Sequence, residues 1–205
     1  MIEWILAEWM QIVGFATGAA CVLLAARRNV WTYPLGIANN VVFLAVFVGA
    51  GLYAAAALQI VYLGLGVHGW YRWTRGAEHA KTYVAHIPRS AAFWLALAGL
   101  AGVAVLFWVL TMFTDSQGAL ADAATTSASL VAQYMLNRKW IENWTVWIGV
   151  DIAFVGLSLA TGLWIVAALY ALFIGLCVMG LRSWRAVERD SAPEWDPVAI
   201  SGATP

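Results

Sequence analysis

Apolar residues occur along the chain in seven long runs, separated by shorter polar stretches. Each run is close to the ~20 residues that an α-helix needs to cross the hydrocarbon core of a bilayer. The pattern therefore predicts an all-α polytopic membrane protein with seven transmembrane helices. Their expected limits are about 9–26, 31–49, 52–73, 91–113, 118–137, 141–160 and 163–183.

The stretches between the runs predict which helices are neighbours. The second and third runs are separated by Gly49 to Gly51, and the sixth and seventh only by Thr161 and Gly162, so each pair is expected to be antiparallel. The longest linker, about 74–90, is polar and is expected at the surface. Residues 187–205 are rich in charged and small residues, which predicts a disordered cytoplasmic tail.

Composition and charge narrow the class of protein and its orientation. Of the 205 residues, 63% are hydrophobic and 11% are charged, which excludes an ordinary soluble domain. All 11 Lys and Arg residues lie at the end of the first, third, fifth or seventh run or in the polar stretch that follows it. By the positive-inside rule, the C-terminus is expected in the cytoplasm and the N-terminus outside the cell inner (plasma) membrane. The N-terminus lacks the basic start of a secretory signal, so no cleavage is expected.

An internal repeat relates the two halves of the chain. Residues 56–73 align without gaps on 167–184 with eight of eighteen identities, and both stretches end in Trp. Further upstream, a two-residue gap brings Trp31-Thr32 onto Trp144-Thr145. These matches predict a three-plus-one-plus-three (3+1+3) layout, a parallel repeat of the kind that transporters use. The expected units are a first repeat at 1–73, a linker and connecting helix at 74–113, a second repeat at 114–186 and the tail at 187–205.

The segment Glu142-Asn143-Trp144-Thr145-Val146-Trp147-Ile148-Gly149-Val150-Asp151 combines aromatic and acidic side chains in an apolar setting. Trp144, Trp147 and Asp151 share one face of a helix, because they are spaced i, i+3 and i+7. An Asp within a membrane span usually faces a cavity or a partner, and Trp rings suit aromatic or cationic ligands. The alternative is that both Trp residues are interfacial and Asp151 pairs within the bundle.

Further polar residues in the apolar runs are candidates for the same site. Asp122, Thr126 (or Thr125), Ser129 and Gln133 form a stripe along the fifth run, although Ser and Thr often bond to their own helix backbone. Gln59 corresponds to Tyr170 in the repeat, so each half offers one polar group at the same depth. Asn39 or Asn40 could also face the cavity, but not both, since adjacent helical residues point about 100° apart.

The remaining Trp and Cys residues are expected to have structural roles, and the sequence lacks the common catalytic motifs. Most remaining Trp residues, including Trp70, Trp73, Trp140 and Trp184, fall near predicted interfaces and are expected to be anchors. Cys21 and Cys177 lie in apolar runs without metal-ligand spacing. The sequence contains no phosphate loop, His-Glu-x-x-His motif or nucleophile elbow, so neither an enzyme nor a cofactor or metal site is expected.

The run from Asp122 through Gln133 to Arg138-Lys139, followed by Glu142-Asn143-Trp144-x-x-Trp147-x-x-x-Asp151, resembles the PnuC family of vitamin transporters, as does Tyr33-Pro34-Leu35-Gly36. The resemblance covers about residues 10–186. It implies a SWEET-like 3+1+3 fold, a homotrimer, and facilitated diffusion of nicotinamide riboside for NAD synthesis. A cytoplasmic riboside kinase would trap the substrate by phosphorylation. Relatives carry thiamine or riboflavin, and no nucleic-acid partner is expected.

The resemblance also implies roles for individual residues. Trp144 and Trp147 would contact the aromatic part of the substrate, and the residue at position 151 would hydrogen-bond to it. The full set of candidate substrate-binding residues is Trp144, Trp147, Asp151, Gln59, Gln133, Thr126, Tyr170, Asn39 and Asn143. Two alternatives stay open: a transporter of thiamine or another B vitamin, and a structural membrane subunit whose polar stripe only holds helices together.

Overall fold

The computed structural model describes residues 2–49, 51, 53–76, 79, 83–114 and 118–191, with side chains from residue 13 onward except at 54 and 191. These residues form seven α-helices. Within the same residues, an isolated β-bridge joins Ala85 to Trp140. The helices are α1 (Ile2–Ala26), α2 (Thr32–Gly49), α3 (Tyr53–Arg75), α4 (Arg89–Phe113), α5 (Ala119–Asn137), α6 (Asn143–Ala160) and α7 (Trp164–Ser191).

The predicted all-α fold with seven helices is confirmed, and most helix limits agree within two residues. Gly51 and Gly162, with φ of 74° and 75°, form the two tight turns, where a left-handed backbone favours glycine. The prediction of disorder from residue 187 is wrong for 187–191, because α7 continues to Ser191. The polar end of this helix is held by Glu188, which contacts His86 of the linker. The rest of the predicted tail lies outside the described residues.

Six helices form a closed ring around the centre of the molecule. In the described part of the chain, α1 contacts α2 and α7, α3 contacts α2 and α5, and α6 contacts α5 and α7. The helix α4 packs only on α5 and buries none of its own residues. The linking helix therefore lies outside the ring, and the enclosed space belongs to the other six helices.

Structural landmarks recur at a constant spacing of 111 residues. Three pairs show it: Arg28 and Lys139, both with positive φ; Gly51 and Gly162; and Trp73 and Trp184. The limits of α2 and α6 have the same spacing, so no gap is needed and Tyr33 is the counterpart of Trp144. Trp31 is 66% exposed whereas Tyr33 is 3% exposed. The gapped match of Trp31 to Trp144 is therefore wrong in this structure. The constant spacing supports the 3+1+3 repeat, which stays a prediction.

Trp73 and Trp184 hold helices together at the end of the bundle where α1, α3, α5 and α7 end, which we call the basic end. The Trp73 indole N–H donates to the Asn137 carbonyl at 3.2 Å, and the Trp184 indole N–H donates to the Ala25 carbonyl at 3.2 Å. Both rings are buried, so the prediction that these two residues are interfacial anchors is wrong. Their N–H groups bind carbonyls at the C-terminal ends of α5 and α1, where the next turn of helix is missing. The Ala25 carbonyl also accepts from the Arg28 N–H at 2.9 Å.

The outside of the bundle is apolar. Within the described residues, four helices are long and apolar enough to span a membrane, namely Thr32–Gly49, Arg89–Phe113, Asn143–Ala160 and the segment Trp164–Asp190. Large exposed side chains cover α4, including Phe93, Trp94 and Leu100. In water such a surface would be unfavourable, whereas in lipid it requires no protein cover. The chain is thus a multi-pass membrane protein.

Candidate functional site

A cavity of about 920 Å³ occupies the centre of the six-helix ring. All six ring helices contribute to its wall and α4 contributes nothing, as the helix contacts require. Its volume is within the usual range of small-molecule sites, ~300–1,000 Å³. The wall is largely apolar, and Asp151 is the one charged residue among those that line it. The cavity is therefore suited to a flat, largely apolar ligand with a few polar groups.

Asp151 projects from α6 and is 6% exposed. The thiol of Cys177 on α7 donates to Asp151 Oδ2 at 3.6 Å. A thiol is a weak hydrogen-bond donor, and no Lys or Arg ion pair with Asp151 occurs in the described structure. A carboxylate placed in an apolar wall without a countercharge favours a cationic or hydrogen-bond-donating ligand.

The two Trp residues of α6 have different environments. Trp144 is 2% exposed, and its six-membered ring lies against Gly180, where an added Cβ would approach within 2.6 Å. Its ring stands edge-on to that of Trp184. Trp147 is half-buried and also lines the cavity. Trp144 is among the lining residues too, but it is nearly fully buried, so the predicted contact with an aromatic ligand fits the half-buried Trp147 better.

An aromatic group covers the part of the cavity away from the basic end. Phe15 of α1 lies edge-on to Tyr170 of α7, with ring centres 6.2 Å apart, and Phe173 is 6.1 Å from Phe15. Tyr170 in turn stacks on Phe154, at 4.6 Å between centres and 11° between planes. Phe15, Tyr170 and Phe173 all line the cavity. Of these rings, the sequence analysis found only Tyr170, since a Phe in an apolar helix carries no signal of the face it occupies.

Gln133 and Asn39 also line the cavity, as their prediction requires. Asn39 Oδ1 lies 3.0 Å from the Thr17 hydroxyl of α1. Asn40 lines the cavity as well, although only one of the two Asn residues was expected there. The cavity extends along α2 on both sides of this turn, so two adjacent side chains reach it. Asn40 precedes Asp151 by the same 111 residues that separate the other landmarks.

Three predicted residues do not line the cavity: Gln59, Thr126 and Asn143. Asn143 is fully buried, and its amide donates to the Trp140 carbonyl at 2.6 Å. Among the polar residues around Thr126 on α5, Thr125 and Ser129 bond to backbone carbonyls of their own helix. Of the predicted α5 stripe, only Gln133 therefore reaches the cavity.

Asn137 is the functional candidate that sequence reasoning missed. It is fully buried and its side chain contacts Tyr33, Gln133 and the carbonyl of Leu65. Its position was available from the sequence, because it follows Gln133 by four residues and so continues the polar stripe by one helical turn.

A ring of apolar membrane helices around a ligand-sized cavity, with one carboxylate and several aromatic rings in its wall, is the architecture of a small-molecule membrane transporter. A family model described as nicotinamide mononucleotide transporter matches residues 8–186. The chain belongs to this family, which consists of transporters and not of enzymes, and which includes the PnuC proteins that its sequence resembles.

Individual relatives differ in the vitamin that their names give. The chain is 30% identical over 192 residues to the riboflavin/roseoflavin transporter RibM of Streptomyces davaonensis, covering 90% of this chain and 89% of that one. It is 26% identical to the nicotinamide riboside transporter PnuC of Escherichia coli, covering 86% and 85% of the two chains. A crystal structure of the vitamin B3 transporter PnuC matches the fold with a TM-score of 0.69 at 20% identity, over 90% of this chain and 84% of that one.

Proposed function

We propose that this protein carries nicotinamide riboside across the cell inner membrane by facilitated diffusion. The observation that carries the proposal is Asp151, a nearly buried carboxylate in the cavity wall with no cationic partner among the described side chains. Nicotinamide riboside has a pyridinium cation, a carboxamide and a ribose. The ring cation complements Asp151, and the polar groups complement the amides of Gln133, Asn39 and Asn40.

Trp147 supplies the second half of this recognition. It is one turn before Asp151 on the same helix and lines the same cavity. A cation over an indole face gains about 0.5–2 kcal/mol, more when the pair is removed from water. A carboxylate and an indole on one helix face thus favour a flat cation over a neutral sugar.

The charges of the cavity wall favour facilitated diffusion over ion-coupled transport. Among the described side chains, the wall offers one carboxylate and no second charged residue, and the charge pairs or relays of ion-coupled carriers do not occur there. Net uptake would then depend on a cytoplasmic kinase that phosphorylates the riboside and retains it for NAD synthesis. The positive-inside rule supports a cytoplasmic C-terminus, and the family resemblance supports a homotrimer.

Riboflavin is the second candidate substrate, and a specific observation favours it. The relative that shares 30% identity over nearly the whole chain is named as a riboflavin/roseoflavin transporter. The aromatic group around Phe15, Tyr170 and Phe173 also offers enough flat surface for a multi-ring ligand. Riboflavin is neutral, so its binding would not depend on the charge of Asp151.

The proposal is tested by calorimetric titration of the purified protein with nicotinamide riboside, riboflavin and thiamine in parallel. Saturable riboside binding that is lost in Asp151→Ala, together with riboside uptake into proteoliposomes, would support the proposal. Binding of riboflavin or thiamine alone would assign the same cavity to that vitamin. A protein that binds none of the three, while Trp147→Ala and Asp151→Ala alter only its thermal unfolding, would be a structural subunit.

A further inference from the structure

The hydrogen bonds of Asn137 determine which end of the Gln133 amide faces the cavity. The Asn137 amide nitrogen donates to the main-chain carbonyl of Leu65 on α3 at 2.8 Å. A carbonyl oxygen can only accept, so this contact fixes the nitrogen of Asn137 toward α3 and its oxygen in the opposite direction. The orientation of the Asn137 amide is therefore set by the backbone of a neighbouring helix.

The Asn137 oxygen then accepts two hydrogen bonds. The Tyr33 hydroxyl lies 3.1 Å from Oδ1 and Gln133 Nε2 lies 3.3 Å from it. In the tautomer with the ring proton on Nε2, His68 Nδ1 accepts from the second N–H of the amide, at 3.5 Å from Asn137 Nδ2. Every donor and acceptor of this fully buried side chain thus has a protein partner, which makes the arrangement hard to reverse.

Gln133 must follow the orientation of Asn137. If its amide were reversed, Gln133 Oε1 would face Asn137 Oδ1, two oxygens without a proton between them. The nitrogen therefore points to Asn137, and the carbonyl oxygen is left for the cavity that Gln133 lines. No protein hydrogen bond to this oxygen occurs among the described residues.

We infer that Asn137 is a positioning residue that presents the Gln133 carbonyl oxygen to the ligand, so that the transporter selects ligands with an N–H or O–H donor at that point. This inference rests on the proposed function. A carboxamide N–H₂, an imide N–H and a sugar hydroxyl all meet the requirement, whereas a methyl group or an ether oxygen in the same place leaves the carbonyl unpaired. A site that hydrogen-bonds its ligand rejects analogues lacking that group strongly, for the same reason.

The test compares each parent ligand with analogues that lack one donor. For nicotinamide riboside these are 3-acetylpyridine riboside, which replaces the amide N–H₂ by CH₃ at unchanged charge, and the 2′- and 3′-deoxyribosides. For riboflavin they are N3-methylriboflavin and ribityl deoxy analogues. The measured quantity is the ratio of dissociation constants, analogue over parent, by calorimetry. For the wild type, at least one analogue is expected to bind about tenfold or more weakly than its parent.

The variants then assign this preference to the Asn137–Gln133 pair. Gln133→Met, which keeps the length of the side chain, is expected to bring that ratio close to one, and Asn137→Leu is expected to do the same with Gln133 still present. Tyr33→Phe should keep the ratio, because the Leu65 carbonyl still orients Asn137, even if the affinity itself changes. Ser127→Ala removes another side-chain hydrogen bond of α5, to the Gly99 carbonyl of α4 away from the cavity, and should keep both ratio and affinity.

Each outcome bears on one of the two claims. If neither parent binds the wild-type protein, the proposed function fails and the inference falls with it. If a parent binds but every donor-deleted analogue binds as well, the inference alone is wrong. A preference that survives in Gln133→Met also overturns it, whether or not the Asn137 variant folds. Loss of the ratio in Ser127→Ala would show that it reports general loosening of α5 and would equally contradict the inference.

Discussion

The indole of Trp144 stands edge-on to the indole of Trp184, with ring centres 5.4 Å apart and planes at 90°. This contact joins the start of α6 to the C-terminal part of α7 at the basic end. Tyr33 and Trp73, the residues 111 positions earlier, form the corresponding edge-on pair at 5.1 Å and 86°. Edge-to-face pairs contribute about 0.5–1.5 kcal/mol beyond the area they bury. The two pairs meet through Trp73 and Trp184 and form the packed floor beneath the cavity.

The close packing in this floor predicts that a Gly→Ala substitution in α7 lowers stability at one position and not at another. A Cβ at Gly180 would lie 2.6 Å from the Trp144 ring, whereas Gly175 on the same helix has no heavy atom within 4 Å of that position. Gly180→Ala should therefore lower the free energy of unfolding by about 1–3 kcal/mol, the usual effect of overpacking. Gly175→Ala should leave it unchanged or slightly raised. Thermal unfolding in detergent compares the two variants, and equal stability would contradict the packing of Trp144 on Gly180.

The two Trp residues of α6 should respond differently to substitution. Trp147→Ala is expected to weaken riboside binding by about twofold to thirtyfold, equivalent to a cation–π contact of ~0.5–2 kcal/mol, with little change in unfolding temperature. Trp144→Ala removes a 2% exposed ring and should lower stability by about 3–5 kcal/mol. Calorimetry and thermal unfolding on both variants measure this separation. The reverse pattern would show that Trp144, not Trp147, is the ligand contact.

The charge of Asp151 should matter for cationic ligands only. Asp151→Asn keeps the size of the side chain and its ability to accept a hydrogen bond from Cys177. We expect this variant to bind nicotinamide riboside about twofold to thirtyfold more weakly, since hydrogen bonds to a charged group are worth ~1.5–3 kcal/mol against ~1 for neutral pairs, a difference of ~0.5–2 kcal/mol. Its affinity for neutral riboflavin should be nearly unchanged. Parallel titration with both ligands measures the difference, and equal losses would mean that the carboxylate acts through the fold.

The linker between α3 and α4 is attached to the ring by His86. Its Nδ1 lies 2.6 Å from Glu142 Oε1, and its Nε2 lies 2.5 Å from Glu188 Oε1. The hydrogen bond with Glu142, together with the charges of both carboxylates and the hydrogen bond with Glu188, raises the pKa of His86 above its usual value, and desolvation opposes this rise only in part. A raised folded-state pKa means that protonated His86 stabilises the fold fully below about pH 6.5, and that this contribution is lost as pH rises through the higher value.

His86→Gln should therefore remove a stabilising contribution that is full below about pH 6.5 and is lost as the pH rises through the raised pKa of His86. The unfolding temperature of the wild type should fall relative to that of the variant as pH rises from 6 to 9. The effect should be small, because the His86 side chain is 63% exposed and solvent screens the pair. His79→Gln in the same linker is the control, since no carboxylate contact of His79 occurs in the described structure. If the unfolding temperatures of the wild type and His86→Gln changed with pH in the same way, the role of the ion pair would be contradicted.

The number of helices and most of their limits follow from the sequence alone; the start of α1 and the end of α7 are the exceptions. The length of a membrane-spanning helix is set by the thickness of the bilayer. Each such helix is therefore visible in the sequence as an apolar run of that length, bounded by Gly or charged residues. The turns at Gly51 and Gly162 are local for the same reason. Asp151 and Gln133 were identifiable because a polar side chain in an apolar span is energetically costly unless it faces a hydrogen-bonding partner or a cavity.

Only the tertiary structure decided which apolar and aromatic side chains face inward. In a helix of a soluble protein, the polar face marks the side exposed to water. In a membrane helix, apolar residues are accepted on the lipid-facing side as well, so the hydrophobic periodicity does not show which face points inward. Trp73 and Trp184 thus proved to be buried, whereas Trp94 is exposed. Gln59 and Thr126 lie away from the cavity for the same reason. The role of Asn137 depends on a carbonyl 72 residues distant in the chain, a contact that exists only once α3 and α5 have packed together.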